Sequence, residues 1–330
     1  MPRYLDFVTL DVFTADPFAG NPLAVVLLPD DSSEISQRQK QEIAREFNYW
    51  ETIFIHAANA SSPTKRTIDI FMTDRELPFA GHPVIGAASW LLCLSKKEHQ
   101  GAAVDAIVTK AGHIPLFSSA TSAGVVSAKI PHDVRIHRAR FPLSELLRLH
   151  PSLSSAFSEN GGSKIKDFPV FSIVKGVSQV LVDLPNLAAL DSLSPAVGGE
   201  TIPTTSAANG GYLDEGWDGA GLTVPYFYVR DVWDEATKAH VIRSRMLCGA
   251  LEDPATGSAA SALASYLSLV DAKSLGSYDY DIIQGVEMSR RSDIGVKVIL
   301  AEDGKKITSI ELRGKAVKIS EGKFLVKDEV

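Results

Sequence analysis

Glu76-Leu-Pro78-Phe-Ala-Gly81-His82-Pro-Val-Ile-Gly-Ala-Ala88-Ser89-Trp90-Leu91 and Glu252-Asp253-Pro254-Ala-Thr-Gly257-Ser258-Ala-Ala-Ser-Ala-Leu-Ala264-Ser265-Tyr266-Leu267 are near-copies of one another. They align without a gap at an offset of 176 residues, with Glu, Pro, Gly, Ala-Ser, an aromatic and Leu in register. In each copy a glycine leads into a stretch without charge, Pro83 to Leu94 and Ala259 to Leu269, rich in Ala, Gly, Ser and Leu on every face. A helix apolar all round is a buried helix. A motif repeated at about half the chain length predicts two similar halves, facing each other across a cleft that offers two glycine-opened helix starts to one small ligand.

Outward from these helices, alternation of apolar and polar residues predicts mostly short strands. They fall near Leu5–Phe13, Leu23–Leu28, Tyr49–His56, Arg66–Thr73, Pro169–Val174, Gln179–Asp183 and Thr223–Arg230, with four more between Tyr278 and Val326. One amphipathic helix is predicted over Ser36–Phe47, with Ser33 or Ser36 as cap. Asp133–Asp167 reads as connective and partly helical around a loose Ser158-Glu-Asn-Gly-Gly-Ser-Lys insert, and Thr201–Leu222 reads as a long loop. Strands outnumber helices and do not alternate with them, which disfavours a parallel α/β sheet. The pattern fits an α+β chain of two barrel-like domains, each wrapped on a central helix. Residues 1–130 would form the first, with 316–330 as a candidate completing segment, and residues 131–315 the second.

A length of 330 residues suits two domains. Hydrophobic content of 45% with 22% charged residues is that of an ordinary globular protein, and a net charge of −7 without basic clusters argues against nucleic acid as partner. Lys96-Lys97 and Arg290-Arg291 are pairs, not patches. The longest apolar stretch, Val84–Leu94, is too short to span a bilayer, and no apolar run follows a basic start. Two cysteines in apolar surroundings, Cys93 and Cys248, fit a reducing compartment, so the expected location is the cytoplasm.

Backbone amides at a helix start favour a carboxylate or phosphate, which makes Gly81, Gly257 and Ser258 candidate binding residues. Pro83 suits the first helical position. Pro17-Phe-Ala-Gly-Asn21-Pro22 repeats Pro78-Phe-Ala-Gly-His82-Pro83 but precedes a strand, so Asn21 either lines the same cleft or simply shapes a turn. Glu51 sits in an apolar strand segment, Tyr49-Trp-Glu51-Thr52-Ile-Phe-Ile55. Partly dry, it would take and return a proton; its alternative is a strand-end carboxylate in solvent. Asp253 is either a second acid or an acid favoured by the helix dipole, and His82 is either an anion donor or a structural histidine. No His-Glu-x-x-His, Cys-x-x-Cys pair, Walker loop or Gly-x-Gly-x-x-Gly occurs, so neither a metal nor a nucleotide cofactor is expected.

Asp11-Val-Phe13-Thr14, Pro17-Phe-Ala-Gly-Asn-Pro22, Glu51-Thr52-Ile-Phe54, Pro78-Phe-Ala-Gly-His-Pro83, Glu252-Asp-Pro-Ala-Thr-Gly-Ser258 and Gln284-Gly-Val-Glu-Met288 together resemble the PhzF-like phenazine-biosynthesis family over nearly the whole chain. The resemblance implies a diaminopimelate epimerase-like fold, usually a homodimer, and a cofactor-independent isomerase acting on a small carboxylate. In the family's phenazine enzyme a Glu at the place of Glu51 moves a proton between two carbons of dihydrohydroxyanthranilate. By resemblance, Glu51 is base and then acid, Asp253 and His82 orient polar groups or assist the transfer, and Gly81, Gly257 and Ser258 hold the carboxylate. The epimerase relatives carry two thiols at the helix starts. Ala80 and Pro254 stand there on the expected alignment, which disfavours a two-base racemase; a binding protein without turnover is the other alternative. After Met288 the chain reads Ser289-Arg290-Arg291-Ser292, where family members often have Gly-Arg-Pro-Ser.

Overall fold

The protein is described from a computed structural model, which covers residues 3–30, 35–95, 103–158, 165–271 and 276–327. Ser33, the Lys96-Lys97 pair and most of the insert after Ser158 lie outside them. In chain order the strands are β1 (Arg3–Val12), β2 (Asn21–Leu27), β3 (Thr52–Ile55), β4 (Lys65–Phe71), β5 (Glu76–Leu77), β6 (Ala106–Thr109), β7 (Gly112–Ser118), β8 (Val126–Lys129), β9 (Arg135–Pro142), β10 (Asp167–Val174), β11 (Val177–Asp183), β12 (Leu222–Asp234), β13 (Ala239–Cys248), β14 (Leu251–Asp253), β15 (Ser277–Gln284), β16 (Ser292–Leu300), β17 (Ile307–Gly314) and β18 (Ala316–Val326). The α-helices are α1 (Gln37–Phe47), α2 (Gly81–Ser89), α3 (Leu143–Leu149), α4 (Ser154–Ser158), α5 (Leu187–Asp191) and α6 (Gly257–Val270). Contacts divide the chain into one unit of Met1–Pro131 with Glu311–Val330 and another of His132–Ile310.

In the first unit β1 lies between β18 and β2, antiparallel to both. β2 and β3 run parallel, and β3–β4 and β4–β5 are antiparallel. β4 and β6 are parallel, and β6, β7, β8 and the end of β17 continue antiparallel. Each parallel pair is joined by a helix, as a crossover requires: α1 between β2 and β3, α2 between β4 and β6. α1 starts on a capping box, with Ser36 Oγ accepting from Gln39 N and Gln39 Oε1 from Ser36 N, and stops where Asn48 turns left-handed. Every residue of α2 is buried, and it packs against β1, β2, β3, β8 and β18. Gly86 makes that approach possible, because a Cβ there would lie 2.2 Å from Leu23 Cδ2.

In the second unit β9, β10 and β11 are successively antiparallel, β11–β12 is parallel, and β12, β13 and β14 are antiparallel. β13–β15 is parallel across α6, and β15–β16 is antiparallel. α6 buries most of its residues against β10, β11, β15 and β16. Phe141, Leu146, Phe168, Val180 and Phe227 anchor an apolar cluster at the other face of the sheet. Beside it a buried histidine ties strand to loop: Asp214 N donates to His137 Nδ1 (2.9 Å), His137 Nε2 meets Ser172 Oγ (2.7 Å), and Ser172 Oγ meets Ser178 Oγ (2.6 Å).

Three local readings change. The predicted strand Tyr49–His56 is shorter: α1 ends at Phe47 and a turn takes up Asn48–Trp50, so β3 begins at Thr52 and Glu51 stands just before it. Pro83 is the third residue of α2, not the first; its missing N–H still falls within the first turn, where none is needed. The stretch after Asp133, expected to be connective and partly helical, carries α3 and α4 but opens with a full strand, β9, which β10 recruits by pairing.

Candidate functional site

The repeat read from sequence is a repeat in space within each unit. Phe71 faces Glu76 in the first and Leu247 faces Glu252 in the second; α2 begins at Gly81 and α6 at Gly257. All three correspondences keep the 176-residue offset of the motifs. The same unit, strand–short strand–buried helix–parallel strand, is built twice.

Each helix starts without a side-chain cap. Ala80 precedes α2 in extended conformation, and Thr256 precedes α6 with its hydroxyl committed elsewhere. The first amides of both helices therefore present partial positive charge that no capping side chain satisfies. Ser258 is the second residue of α6 rather than its cap. The shared helix register also moves one correspondence: the residue matching Ala80 is Thr256, not Pro254. Neither is a thiol, so the argument against two-base racemisation stands.

In the first unit three predicted residues meet. The parallel pairing of β2 with β3 sets Ala24 against Thr52, which puts Asn21 and Glu51 at one end of the two strands. His82, the second residue of α2, is 4% exposed and points Nδ1 at both: 3.2 Å to Glu51 Oε2 and 3.5 Å to Asn21 Nδ2. The Glu51 side chain is 13% exposed. Burial pushes His82 down to about 3, although a hydrogen bond with the Pro22 backbone opposes the shift. The imidazole is therefore neutral near pH 7. Its 3.2 Å contact with Glu51 is thus not an ion pair. A neutral ring lies against the carboxylate without placing a cation beside it.

In the second unit Asp253 ends β14, buried, and its Oδ2 accepts from Thr256 Oγ1 at 2.6 Å. The residue that organises this start is Gln284, which sequence reading treated only as part of a motif. Its Nε2 donates to Asp253 O (2.7 Å) and Thr256 Oγ1 (3.0 Å). Its Oε1 accepts from Thr256 N (3.2 Å) and Tyr226 Oη (3.1 Å). Tyr226 Oη also meets Ser244 Oγ at 2.9 Å. Burial, reinforced by the charge of Asp253 and opposed by the Ser244 hydrogen bond, holds the Tyr226 phenol well above its usual range, so it remains a donor. The signal for Gln284 was an amide at the end of an apolar strand, Ile282-Ile283-Gln284, followed by a glycine. That glycine is required: Gly285 has φ +75°, and a Cβ would lie 2.6 Å from the carbonyls of Pro254 and Arg290.

Beyond this turn, Ser289 adopts φ +57°, a conformation that favours glycine. Arg291 reaches Asp234 with two hydrogen bonds of 2.7 and 3.0 Å. Charge pairing ties this turn to the end of β12. A small pocket in the second unit, lined by Leu149, His150, Thr223 and Cys248, contains none of the candidate residues. Among the described residues no cluster of His, Cys, Asp and Glu could hold a metal ion, and no helix is long and apolar enough to cross a membrane.

The family described as phenazine biosynthesis-like protein matches residues 10–322. The chain belongs to this family. It is 32% identical to an uncharacterized isomerase of Mesorhizobium japonicum over 97% of this chain and 99% of that one. It is 28% identical to the trans-2,3-dihydro-3-hydroxyanthranilate isomerase of Pseudomonas aeruginosa, over 96% and 98% of the respective chains. The crystal structure of a PhzF-family phenazine biosynthesis protein from Bacillus anthracis superposes with a TM-score of 0.71 at 20% identity, covering 98% of this chain and 100% of that one. The fold is the diaminopimelate epimerase-like one, and the protein is an isomerase of the PhzF type.

Proposed function

We propose that this family member moves a proton between two carbons of a small cyclic or unsaturated carboxylate, of the kind exemplified by trans-2,3-dihydro-3-hydroxyanthranilate, without a cofactor. The observation that carries the proposal is the Glu51 carboxylate, largely buried and held 3.2 Å from a neutral His82. In this mechanism Glu51 takes a proton from one carbon while the C–H electron pair moves into the conjugated system. It then returns the proton to a second carbon as the double bond shifts, so nothing is oxidised or reduced. His82 is assigned to orient the Glu51 carboxylate, and Asn21, at the same end of β2 and β3, to the same site. The uncapped amides at Gly81 and Gly257, with Ser258, are assigned to the substrate carboxylate and to charge that develops on it. Asp253, oriented by Thr256 and Gln284, is assigned to a substrate amine or hydroxyl.

We also infer a cytoplasmic homodimer. The resemblance to the family supports the dimer; two cysteines that form no disulfide support the compartment.

The test uses trans-2,3-dihydro-3-hydroxyanthranilate in D₂O with the intact protein, following product and deuterium at the newly formed C–H bond. Glu51→Gln should slow both by roughly 10³-fold, within the range of general acid–base groups. Undiminished exchange in the variant removes Glu51 from the mechanism. A wild-type protein that binds anthranilate but exchanges no proton of the substrate is a binding protein instead.

A further inference from the structure

The loop from Phe13 to Gly20, between β1 and β2, contains two phenylalanines in the same unusual backbone conformation, Phe13 at φ +66° and Phe18 at φ +67°. For a bulky residue this region is strained. Phe13 has a compensation: it is 0% exposed, seated in the apolar interior. Phe18 is 73% exposed, so burial does not offset its strain. Its position explains the conformation but not the side chain. Ala19 N donates to Asp16 O across Pro17-Phe18, a turn with proline at the second place and a left-handed residue at the third. That third place is the one at which glycine or asparagine is preferred. The buried Asp11 carboxylate locks the geometry by accepting from Phe18 N at 2.7 Å. A glycine would meet every backbone demand at lower cost; only the phenyl ring is lost.

The loop also runs close to the chemistry. Two residues, Ala19 and Gly20, separate Phe18 from Asn21, whose amide is 3.5 Å from His82 Nδ1. Three residues of chain span at most about 11 Å. We propose that Phe18 is a specificity-determining residue, which lays its ring over one face of a flat, unsaturated ring carboxylate held at Glu51. The proposal rests on the isomerase reading above and narrows its substrate class to planar rings over acyclic carboxylates.

The experiment compares wild type, Phe18→Gly, Phe18→Ala and Phe18→Tyr in three measurements: calorimetric binding of anthranilate and of succinate, turnover of trans-2,3-dihydro-3-hydroxyanthranilate, and thermal unfolding. Phe18→Gly and Phe18→Ala should weaken anthranilate binding roughly three- to tenfold, the worth of one aromatic pair, and raise KM with kcat unchanged. Phe18→Tyr should retain binding, and succinate affinity should not move. Phe18→Gly should also unfold at a higher temperature than wild type, because the strain is relieved while the ring is lost. Equal anthranilate affinity in wild type and Phe18→Gly overturns the proposal, as does an equal loss for succinate. So does conversion of a dimer to a monomer in Phe18→Gly with anthranilate affinity intact, which would assign the ring to a subunit contact. If the substrate is turned over but its KM ignores Phe18, this inference falls and the isomerase reading stands. If anthranilate binding depends on Phe18 but no substrate turns over, the reverse holds. If wild type binds no anthranilate, both fall.

Discussion

The starts of α2 and α6 share a backbone and differ in chemistry. In the first unit Ile53, Ile70 and Leu77 lie opposite one another across β3, β4 and β5. In the second the matching row across β12, β13 and β14 is Tyr226, Met246 and Asp253. One row is wholly apolar; the other carries a phenol and a carboxylate. The second helix residue is His82 in one and Ser258 in the other, and the residue before the helix is Ala80 in one and Thr256 in the other. The first start leaves a carboxylate and a neutral imidazole in contact, an arrangement able to move a proton. The second ties its polar groups into a closed network through Gln284, an arrangement suited to hold a shape. Duplication supplied two similar scaffolds, and divergence of a few side chains separated the labour between them.

Acid should separate the two most. The unfolded His82 takes up a proton near its ordinary value of 6.5, whereas the folded one resists until about 3. Between these values the unfolded state binds the extra proton, so stability falls as pH drops through that window, by up to several kcal/mol. His82→Ser copies the side chain found at Ser258. Urea unfolding at pH 7, 5 and 4 should show a shallower acid loss in this variant than in wild type, whatever its stability at pH 7. An unchanged slope would mean that His82 is protonated in the folded protein, and the neutral-ring reading would fail.

Gln284→Leu should be next, costing about 2–3 kcal/mol in denaturant unfolding because it strands the Thr256 amide and leaves the buried Tyr226 hydroxyl only Ser244. Asn21→Leu, whose contact with His82 is long at 3.5 Å, should cost less. A reversed order would put the structural clamp at the first start.

The smallest contrast lies one turn further along. Gly86 of α2 corresponds to Ala262 of α6 by the same offset, and Ala262 is fully buried. Gly86→Ala must displace Leu23 and Val12 and should lose about 1–3 kcal/mol in spite of alanine's better helix propensity. Ala262→Gly should lose only about 1 kcal/mol. If Gly86→Ala stabilises the protein, α2 is packed no more tightly than α6.

The duplication was legible because its marks are local. Glycine before an uncharged run of small residues is visible in one window of sequence, and so is the alternation that gives β15 to β18. The end of α1 was less legible, since only the left-handed turn at Asn48 shows that a bend takes up Tyr49 and Trp50 and leaves Glu51 outside the strand. β9 was hidden by its composition. Its outward positions carry Arg138 and Arg140, and its apolar contribution is largely Phe141, too little for a window to register before β10 pairs with it. Gln284 was hidden by distance: its partners Tyr226 and Asp253 lie 58 and 31 residues away in the chain. Nor could any pattern show that His82 is neutral, because burial alone sets that.

The His137–Ser172 contact has a consequence for anyone searching this protein for a nucleophile. A serine and a histidine 2.7 Å apart look like a hydrolase pair. Here Nδ1 already receives a hydrogen from Asp214 N, so in the neutral ring Nε2 holds the proton and aims it at the serine. The polarity is the reverse of activation, since Ser172 is given a hydrogen bond when a nucleophile must surrender one. Acylating or phosphonylating reagents should therefore find it inert.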